Sequence, residues 1–345
     1  MSGVTLDARD GRRRKKERVP EYRPDKISPA PVFVRPWSAV AFLKWFFGFP
    51  GYLWPWNGLY LAIAVATWTW ATPSLDSMKT FQACWIGAIL ARNLALALGV
   101  YGAWHFRLYV QRPQGTEFKY SGRWLAKDSD FFLFRSQLWD NVFWTLASAV
   151  PIWSAWEVAT LWLQANGYVP TISLSVHPVG FIALILFIPL FAEAHFYAVH
   201  RLIHWPPLYR SVHKLHHRNM NPGPWSGLSM HPVEHLLYFS GVILHWIVAS
   251  HPIHVIFHLQ HRAFAPAMGH NGFDRLKLPN GAWLNAEHYV HYLHHKYFEV
   301  NYGDGLIPFD KWFGTWHDGS ANADARMNAR YEKRKARVNA VKAAG

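Results

Sequence analysis

Histidine is the most distinctive residue of this 345-residue sequence, which contains 21 of them, most beyond position 190. One pair, His200 and His204, has helical spacing, and two further clusters repeat the pattern His-x-x-His-His. Residues three and four positions apart are neighbours on a helix surface, so each cluster places its imidazoles on one face. The two triplets are His213, His216 and His217, and His291, His294 and His295.

Metal binding is the chemistry that this spacing favours, because three protonated imidazoles over one helical turn would repel one another. Neutral imidazole binds Zn, Cu, Fe and Ni, and a tetrahedral zinc site uses only four ligands. Octahedral ions that keep one position open for a small molecule would each take about four or five such donors. The pair and the two triplets together therefore predict a dinuclear centre.

Other readings apply to the remaining histidines. A surface that senses pH is the alternative for the triplets, and their repetition disfavours it. The zinc protease motif His-Glu-x-x-His does not occur in the sequence, in which Glu234 precedes His235. Packing at an interface is the expectation for His105, His177, His245, His251 and His254. For six more histidines three roles stay open: an additional metal ligand, a hydrogen-bond partner of a ligand, or a residue at an interface. These six are His195, His231, His235, His258, His261 and His288. Acceptors that would orient imidazoles are Glu193, Glu234, Asp274 and Glu287.

The elements that must position these histidines are apolar. Aromatic residues make up 17% of the chain and charged residues only 16%, against about 25% charged residues in soluble domains. Four stretches approach the roughly 20 apolar residues that span a bilayer, at 52–72, 82–104, 140–163 and 179–199. A further apolar pair, 236–249 and 253–265, predicts a re-entrant or interfacial helical hairpin. The predicted fold is an all-α integral membrane protein with about four transmembrane helices, this hairpin and a cytoplasmic histidine-rich helical cap.

Polar residues inside these stretches predict internal partners, because charge is costly in lipid. Arg92 and Asn93 interrupt the second stretch, and Pro151 and Glu157 lie in the third, which predicts a kink there. We expect the third and fourth helices to line an apolar slot. The aromatic residues expected near its mouth are Trp205, Tyr209, Trp225, Trp283 and Tyr292.

Loop charges predict the orientation. Six Lys and Arg residues lie in 105–135 and none in 164–178, so the first loop faces the cytoplasm. With four spans, both termini and the histidine cluster lie on that side. The net charge of +14 is concentrated near the ends, which favours anionic lipid over nucleic acid. The predicted regions are a basic disordered N-terminal tail (1–30), a transmembrane region (31–199), a histidine-rich region (200–320) and a basic C-terminal tail (321–345).

The motifs resemble those of the sterol desaturase and fatty acid hydroxylase superfamily of integral membrane di-iron enzymes. The segments similar to its histidine boxes are His200-Arg-Leu-Ile-His204, His213-Lys-Leu-His216-His217, His270-Asn-Gly and His291-Tyr-Leu-His294-His295. Asn301-Tyr-Gly and the segment 310–315 resemble its closing segment. The resemblance covers about 193–316 and is closer to the sterol desaturase branch.

The resemblance implies that residues 200–320 form a fatty acid hydroxylase-like di-iron catalytic region. It implies two non-haem irons bound by His200, His204, His213, His216, His217, His270, His291, His294 and His295. It also implies O2 as co-substrate and the hydroxylation or desaturation of a C–H bond in a sterol, fatty acyl or related lipid. His288, His231, His235 and Glu234 are the candidates for extra ligands or partners of ligands.

Electrons must come from outside this sequence. Cys84 is its only cysteine, which excludes a cysteine-bound iron–sulfur cluster, and no dinucleotide fingerprint occurs. A separate donor, a ferredoxin or a cytochrome b5-like protein with its reductase, is therefore expected. The alternative function is a histidine-rich membrane metal-binding or transport protein without oxygenase activity. A transporter would carry more ionisable residues within its spans.

Overall fold

The structure is a computed structural model, and it describes residues 21–24, 27, 30–286 and 288–344. The first six α-helices of the described residues are α1 Ala39–Phe47, α2 Gly58–Ala71, α3 Ala83–His105, α4 Gln137–Trp144, α5 Val150–Ala165 and α6 Pro178–Ile203. They are followed by α7 Pro206–Leu208, α8 Pro232–Phe239, α9 Leu244–Ile247, α10 Pro252–Gly269, α11 Tyr289–Tyr297, α12 Phe309–Trp312 and α13 Ala321–Ala344. Two short strands, β1 Arg275–Lys277 and β2 Trp283–Asn285, pair antiparallel. The predicted helical class is confirmed, and this small sheet is an addition that the sequence did not predict.

Local sequence signals set several helix starts. The Ser38 hydroxyl caps α1 by accepting a hydrogen bond from Ala41 N at 3.2 Å. Proline occupies the first turn of α6, α8 and α10, where a helix has no partner for the backbone N–H that proline lacks. These starts fix where each apolar helix enters the bundle.

The four predicted spans all lie on helical segments. Two of these segments are long and apolar enough to cross a membrane by themselves: Ala83–Gln111, which extends α3, and α6. The first predicted span corresponds to α2 with the π turn Leu53–Asn57 before it. The third corresponds to α4 and α5, joined by the π turn Thr145–Ala149. An apolar multi-helix bundle is thus established.

Helix α10, the second arm of the predicted hairpin, lies inside the bundle. Its Phe264 shares a buried cluster with Tyr60 of α2, Trp153 of α5 and Ile188 of α6. Tyr101 of α3 donates a hydrogen bond from its hydroxyl to a backbone carbonyl of α10 at 2.7 Å. Because other helices surround α10, it does not fit an interfacial position, and the re-entrant alternative stays a prediction.

The predicted internal partners are confirmed within the bundle. Arg92 of α3 forms an ion pair with Glu157 of α5, and both side chains are buried. Asn93 Nδ2 completes the group by donating to Glu157 Oε2 at 3.0 Å and to Ser154 Oγ at 3.1 Å. A buried ion pair needs such additional hydrogen bonds to offset its loss of hydration. The polar interruption of the second stretch therefore ties α3 to α5.

The end of the chain packs against the histidine-rich region. Helix α13 buries Met327 and places the Tyr331 hydroxyl 2.7 Å from the carbonyl of Tyr297 in α11, to which it donates. The described part of the predicted C-terminal tail is therefore a helix attached at its start. Of the predicted N-terminal tail, 1–20, 25, 26, 28 and 29 lie outside the described residues, and Glu21 contacts Lys296 at 3.0 Å.

Candidate metal centre

Nine histidines lie close together near the C-terminal end of α6. Helix α6 supplies His200, and His204 is its C-terminal capping residue. Two tight turns supply the next three, the end of α10 supplies one, and α11 supplies three. In chain order these seven are His213, His216, His217, His270, His291, His294 and His295. All of the histidines from the predicted boxes therefore lie in one place. The triplet His213, His216 and His217 sits on π and 3-10 turns and not on one α-helical face.

The nine side chains divide into two groups whose nitrogens lie within 4.8 Å of one another. The first group holds five histidines: His200, His204, His213, His217 and His294. The second holds four: His216, His270, His291 and His295. Each His-x-x-His-His triplet contributes to both groups. Five and four are the donor numbers expected for two octahedral ions that keep open positions.

The four-member group is centred on His270. Its Nε2 atom lies 2.9 Å from His291 Nε2, 3.1 Å from His295 Nε2 and 3.3 Å from His216 Nε2. The Nδ1 atoms of His270 and His216 point outward and donate to backbone carbonyls at 3.0 and 3.3 Å. The Nε2 atoms therefore converge on one point.

The five-member group has the same inward arrangement. His204 Nε2 lies 3.2 Å from the Nε2 atoms of His217 and His294, which are 3.1 Å from each other. His200 Nε2 lies 3.2 Å from His213 Nε2. Two nitrogens about 2.1 Å from one ion lie about 3.0 Å apart at a right angle and about 3.4 Å apart at the tetrahedral angle. The observed separations in both groups fit nitrogens that share an ion.

The protonation of the rings supports this fit. His200 Nδ1 donates to the carbonyl of Tyr302 at 2.6 Å, and His294 Nδ1 donates to that of Val300 at 2.7 Å. A carbonyl oxygen only accepts, so these Nδ1 atoms carry the ring protons and the Nε2 atoms present lone pairs. Lone pairs about 3 Å apart repel unless a cation lies between them. The residues present therefore fit bound metal ions better than they fit a hydrogen-bonded cluster.

Glu234 of α8 orients one of these rings. Its Oε1 atom accepts a hydrogen bond from His213 Nδ1 at 2.7 Å, and both side chains are buried. A carboxylate on the outer ring nitrogen fixes the tautomer and raises the basicity of the inner one. Asp304 lies in a similar place, with Oδ1 3.4 Å from His291 Nδ1. The predicted role of Glu234 as the partner of a ligand agrees with this contact.

Burial keeps these imidazoles neutral. Loss of hydration lowers the pKa of His216 to about 4 and that of His294 to about 3. Hydrogen bonds from their Nδ1 atoms to Ser229 and Val300 oppose this change and do not reverse it. Near neutral pH both rings are therefore uncharged, the state in which imidazole binds metals.

The segment after α11 supplies the carbonyls that hold the rings. Asn301, at φ 51°, accepts a hydrogen bond from His317 N at 2.8 Å. Asp310 accepts from the backbone of Tyr302 at 2.9 Å and of Gly303 at 2.8 Å. The sequence marked this segment only through its resemblance to a closing segment, because a backbone carbonyl leaves no side-chain signal.

The additional histidines lie outside both groups. His235 contacts Ser148 Oγ at 2.9 Å and the carbonyl of Leu228 at 3.1 Å. His231 accepts a hydrogen bond from a backbone N–H at the start of α8. Partners elsewhere are Ser240 for His195, His245 for His258 and Asn57 for His261. His288 is half-buried in the wall of a cavity beside the site, and its buried Nε2 atom has no partner among the described residues.

The remaining predicted acceptors serve other groups. Glu193 Oε1 accepts hydrogen bonds from the backbone of Asp304 at 3.1 Å and of Gly305 at 3.2 Å. Asp274 accepts one from the Tyr120 hydroxyl at 3.1 Å. The idea that these two orient imidazoles is therefore wrong, since neither contacts a histidine of the two groups. Glu287 lies outside the described residues.

A cavity of about 270 Å³ reaches both groups from the bundle side. Five of the nine histidines form part of its wall: His200, His213, His216, His270 and His291. Phe196 of α6 also lines it and stacks on His200, with ring centroids 4.7 Å apart. An apolar groove of about 490 Å³ between α2 and α6 shares Tyr52, Asn57 and Pro189 with the cavity. The groove and the cavity therefore adjoin at these three residues, and together they lie along one path from the outer face of the bundle towards the histidines.

The mouth of this path differs from the predicted one. It is formed by the segment before α2, with Trp45, Tyr52 and Trp56, together with α6 and α10. The five aromatic residues predicted there lie elsewhere: Trp225 is in the buried core, Trp205 and Trp283 are on the surface, and Tyr209 and Tyr292 line a different cleft. Composition predicted the wrong aromatic residues for the mouth, because aromatic residues at the membrane interface occur on every side of a membrane bundle.

That different cleft, which we call the basic cleft, approaches the site from the cap side and has a volume of about 1080 Å³. His217 of the five-member group lies in its wall. Its cationic residues are Arg23, Arg123, Lys214, Arg218 and Lys296, and Glu21 is the acid among its described lining residues. The apolar cavity and the basic cleft thus reach different histidines of the same centre.

Comparisons with known proteins agree with this site. Residues 185–315, which contain all nine histidines, match the family model for fatty acid hydroxylase. A Delta(7)-sterol 5(6)-desaturase of Eremothecium gossypii is 27% identical over 174 residues, 49% of each chain. The desaturase ERG3B of Gibberella zeae is 33% identical over 135 residues, 36% of this chain and 39% of its own. The methylsterol monooxygenase erg25A of Aspergillus fumigatus is 31% identical over 164 residues, 44% of this chain and 52% of its own.

These matches establish the class of the histidine-rich region. Residues 185–315 belong to the sterol desaturase and fatty acid hydroxylase superfamily, as the resemblance of the histidine boxes predicted. The matched part spans about half the length of the curated relatives. No solved structure is significantly similar to the chain.

Proposed function

We propose that the protein is a membrane-bound non-haem di-iron oxygenase that uses O2 and external electrons to hydroxylate or desaturate a lipid C–H bond. The observation that carries this proposal is the pair of histidine groups, with inward Nε2 atoms, in the wall of an apolar cavity. An all-imidazole site also suits zinc or copper. The family match and the hydrocarbon path favour iron and oxidation.

The chemistry divides between the metal and the chain. Bound iron would supply the redox reactivity that no side chain has towards an unactivated C–H bond. The five-member and four-member groups would each hold one ion. The chain keeps the imidazoles neutral by burial and aims them through Glu234, Tyr302 and Val300. Phe196 gives the cavity an apolar wall next to His200, which keeps water away and places hydrocarbon beside the site.

The substrate enters from the bilayer in this proposal. The groove between α2 and α6 is lined almost wholly by apolar residues, and exposed residues such as Trp54 and Trp70 lie along it. The Tyr52 hydroxyl donates to the carbonyl of Leu186 at 2.5 Å, which links the mouth segment to α6. A lipid leaving the membrane would pass Tyr52 and Pro189 to reach the cavity.

The topology that fits this route has four crossings, with both termini and the histidines in the cytoplasm. Helices at all four predicted positions and the basic loop at 105–135 support it. Electrons would arrive from a ferredoxin or cytochrome b5-like donor at the basic cleft. Five cations there suit an acidic partner, and exposed Phe131 and Met220 offer apolar contact at the rim.

Elemental analysis tests the metal part of the proposal. Protein purified anaerobically in mild detergent after iron-replete expression should contain about two irons per chain, one for each group of donors. One zinc and no iron would contradict the di-iron proposal and favour the alternative of a metal-binding or transport protein without oxygenase activity.

Isotopically labelled O2 tests the reaction. Lipid extracts from membranes with and without the active protein, compared by mass spectrometry, should differ in one lipid class. Hydroxylation places one labelled oxygen atom in the product, whereas desaturation gives a new double bond and no label. The named activities of the relatives include both a desaturase and a monooxygenase. Turnover that needs no O2 would contradict both outcomes.

A further inference from the structure

Among the described residues, the apolar cavity contains one buried cation, and no described side chain pairs with its charge. Arg262 of α10 lines the cavity and is only 4% exposed. Its guanidinium lies 3.9 Å above the Tyr238 ring and 5.0 Å from the Phe196 ring. The Nε and Nη2 atoms make no hydrogen bond to any described residue. The cation–π contacts offset part of the free-energy cost of burying the guanidinium. The rest of this cost is not offset, because these N–H groups make no hydrogen bonds.

Acidic side chains share the cavity with Arg262 without pairing with it. Glu193 and Asp304 both line the cavity, and neither lies within 4.0 Å of the guanidinium in a salt bridge among the described residues. Glu193 is occupied by two backbone N–H groups. The Asp304 side chain is 42% accessible, and it lies close enough to Arg262 for the two charges to interact. A hydrogen-bond donor and an acceptor therefore border one space and leave a gap between them.

The donor and the acceptor on either side of this gap favour one kind of ligand group. A hydroxyl can accept a hydrogen bond from Arg262 and donate one to Asp304 at the same time. A carboxylate or phosphate would meet the carboxylates of Asp304 and Glu193, and a plain hydrocarbon would leave the guanidinium unpaired. The Phe196 ring contacts both Arg262, at 5.0 Å, and the His200 ring, at 4.7 Å, so a group held here lies near the histidines.

We propose that Arg262 and Asp304 form the polar end of the substrate site and bind the hydroxyl of a lipid alcohol. This inference rests on the proposed function, in which the cavity holds the substrate. The hydroxyl anchors one end of the molecule, and the hydrocarbon beyond it extends past Phe196 towards the histidines and the groove. The carbon that reacts is then set by its distance along the skeleton from the hydroxyl.

Binding of matched lipids tests the subsite without relying on turnover. Purified full-length protein in nanodiscs is titrated with two series: cholesterol, cholest-5-ene and cholesteryl sulfate, and hexadecanol, hexadecane and palmitate. Quenching of tryptophan fluorescence reports occupancy, because Trp45 and Trp56 line the cavity. In at least one series the alcohol should bind about tenfold more tightly than both of its partners, the equivalent of a charged hydrogen bond. No preference for either alcohol would overturn the proposal.

Substitution of the cation separates a binding role from a structural one. Arg262→Met should remove the preference for the alcohol while Tm stays level or rises, because an unpaired buried guanidinium is lost. Arg262→Lys should restore part of the preference, and Asp304→Asn should weaken it. Arg330→Met on α13, which is exposed and lines neither the cavity nor the basic cleft, is the matched control and should leave the preference for the alcohol and Tm unchanged. A lower Tm of Arg262→Met with the preference intact would show that Arg262 is structural and would overturn the proposal.

The outcome remains distinguishable from failure of the proposed function. If no labelled oxygen or double bond appears in lipid but the alcohol preference and its loss in Arg262→Met are observed, the subsite stands and the oxygenase proposal falls. If lipid oxidation is observed and neither alcohol is preferred, the oxygenase proposal stands and the subsite falls.

Discussion

This protein has two sets of buried histidines, which differ in what the second nitrogen of each ring faces. In the candidate metal centre, Nε2 atoms face one another at 2.9 to 3.3 Å, as His270 and His291 do at the short end. In the bundle, His235, His245 and His254 are equally buried, and both nitrogens of each ring contact a serine, a backbone group or another histidine. Burial and helical spacing are common to both sets. The set that lacks partners for its inner nitrogens is the one arranged to bind metal.

The largest expected effect is the loss of lipid oxidation and iron when a histidine of the metal centre is removed, which distinguishes this set from the bundle set. His217→Ala and His295→Ala, one in each group, should abolish lipid oxidation and lower the iron content, because each removes an inward donor. Membrane insertion should persist. His177→Ala is the control, since His177 is exposed at the opposite end of α6 from His200. Iron measured with lipid product provides the test, and full activity in either of the first two variants would refute the site.

A smaller loss is expected when a ligand stays and its orientation changes. Glu234→Leu removes the acceptor on His213 Nδ1 and should lower iron affinity or activity about 10- to 100-fold. Glu234→Gln retains an oxygen acceptor and should recover part of the loss. Asp274→Asn, whose carboxylate contacts Tyr120 and none of the nine histidines, serves as the control. Competition with a chelator measures the affinities, and equal iron retention in all three variants would remove Glu234 from this role.

A further effect is expected at the second opening to the centre. The double variant Arg123→Glu with Lys214→Glu should slow reduction by an acidic protein donor about tenfold at low salt, because steering charges are reversed. The difference should shrink as salt is added. Dithionite should reduce the variant and the native protein at the same rate. Arg330→Glu on exposed α13 is the matched control, and an equal slowing there would show that net charge, not the basic cleft, sets the rate.

The smallest effect on the reaction is expected in the bundle set. His235→Ala should leave iron content unchanged and lower the free energy of unfolding by about 1 to 3 kcal/mol, because the Ser148 hydroxyl and the Leu228 carbonyl lose a buried partner. Thermal unfolding followed by tryptophan fluorescence, with iron analysis on the same samples, measures both quantities. Loss of iron at an unchanged Tm would instead place His235 with the metal-binding set.

The sequence by itself determined the donors, the helical class and the polar contact inside the bundle. Metal-binding spacing is a local property, because residues three and four positions apart share a helical turn whatever surrounds it. The apolar stretches follow from composition in the same way. Arg92 and Glu157 were identifiable because charge within an apolar stretch requires a partner.

Tertiary structure alone decided how those donors are divided and what surrounds them. The triplet His213, His216 and His217 sits on π and 3-10 turns that send His216 to one group and its neighbours to the other. Partners far apart in the chain, such as His200 with Tyr302, meet only when the helices pack. The position of α10 inside the bundle, which brings Arg262 into the cavity, depends on which apolar faces pack together. Spacing along the chain specifies neighbours within a turn, and only packing specifies neighbours across the fold.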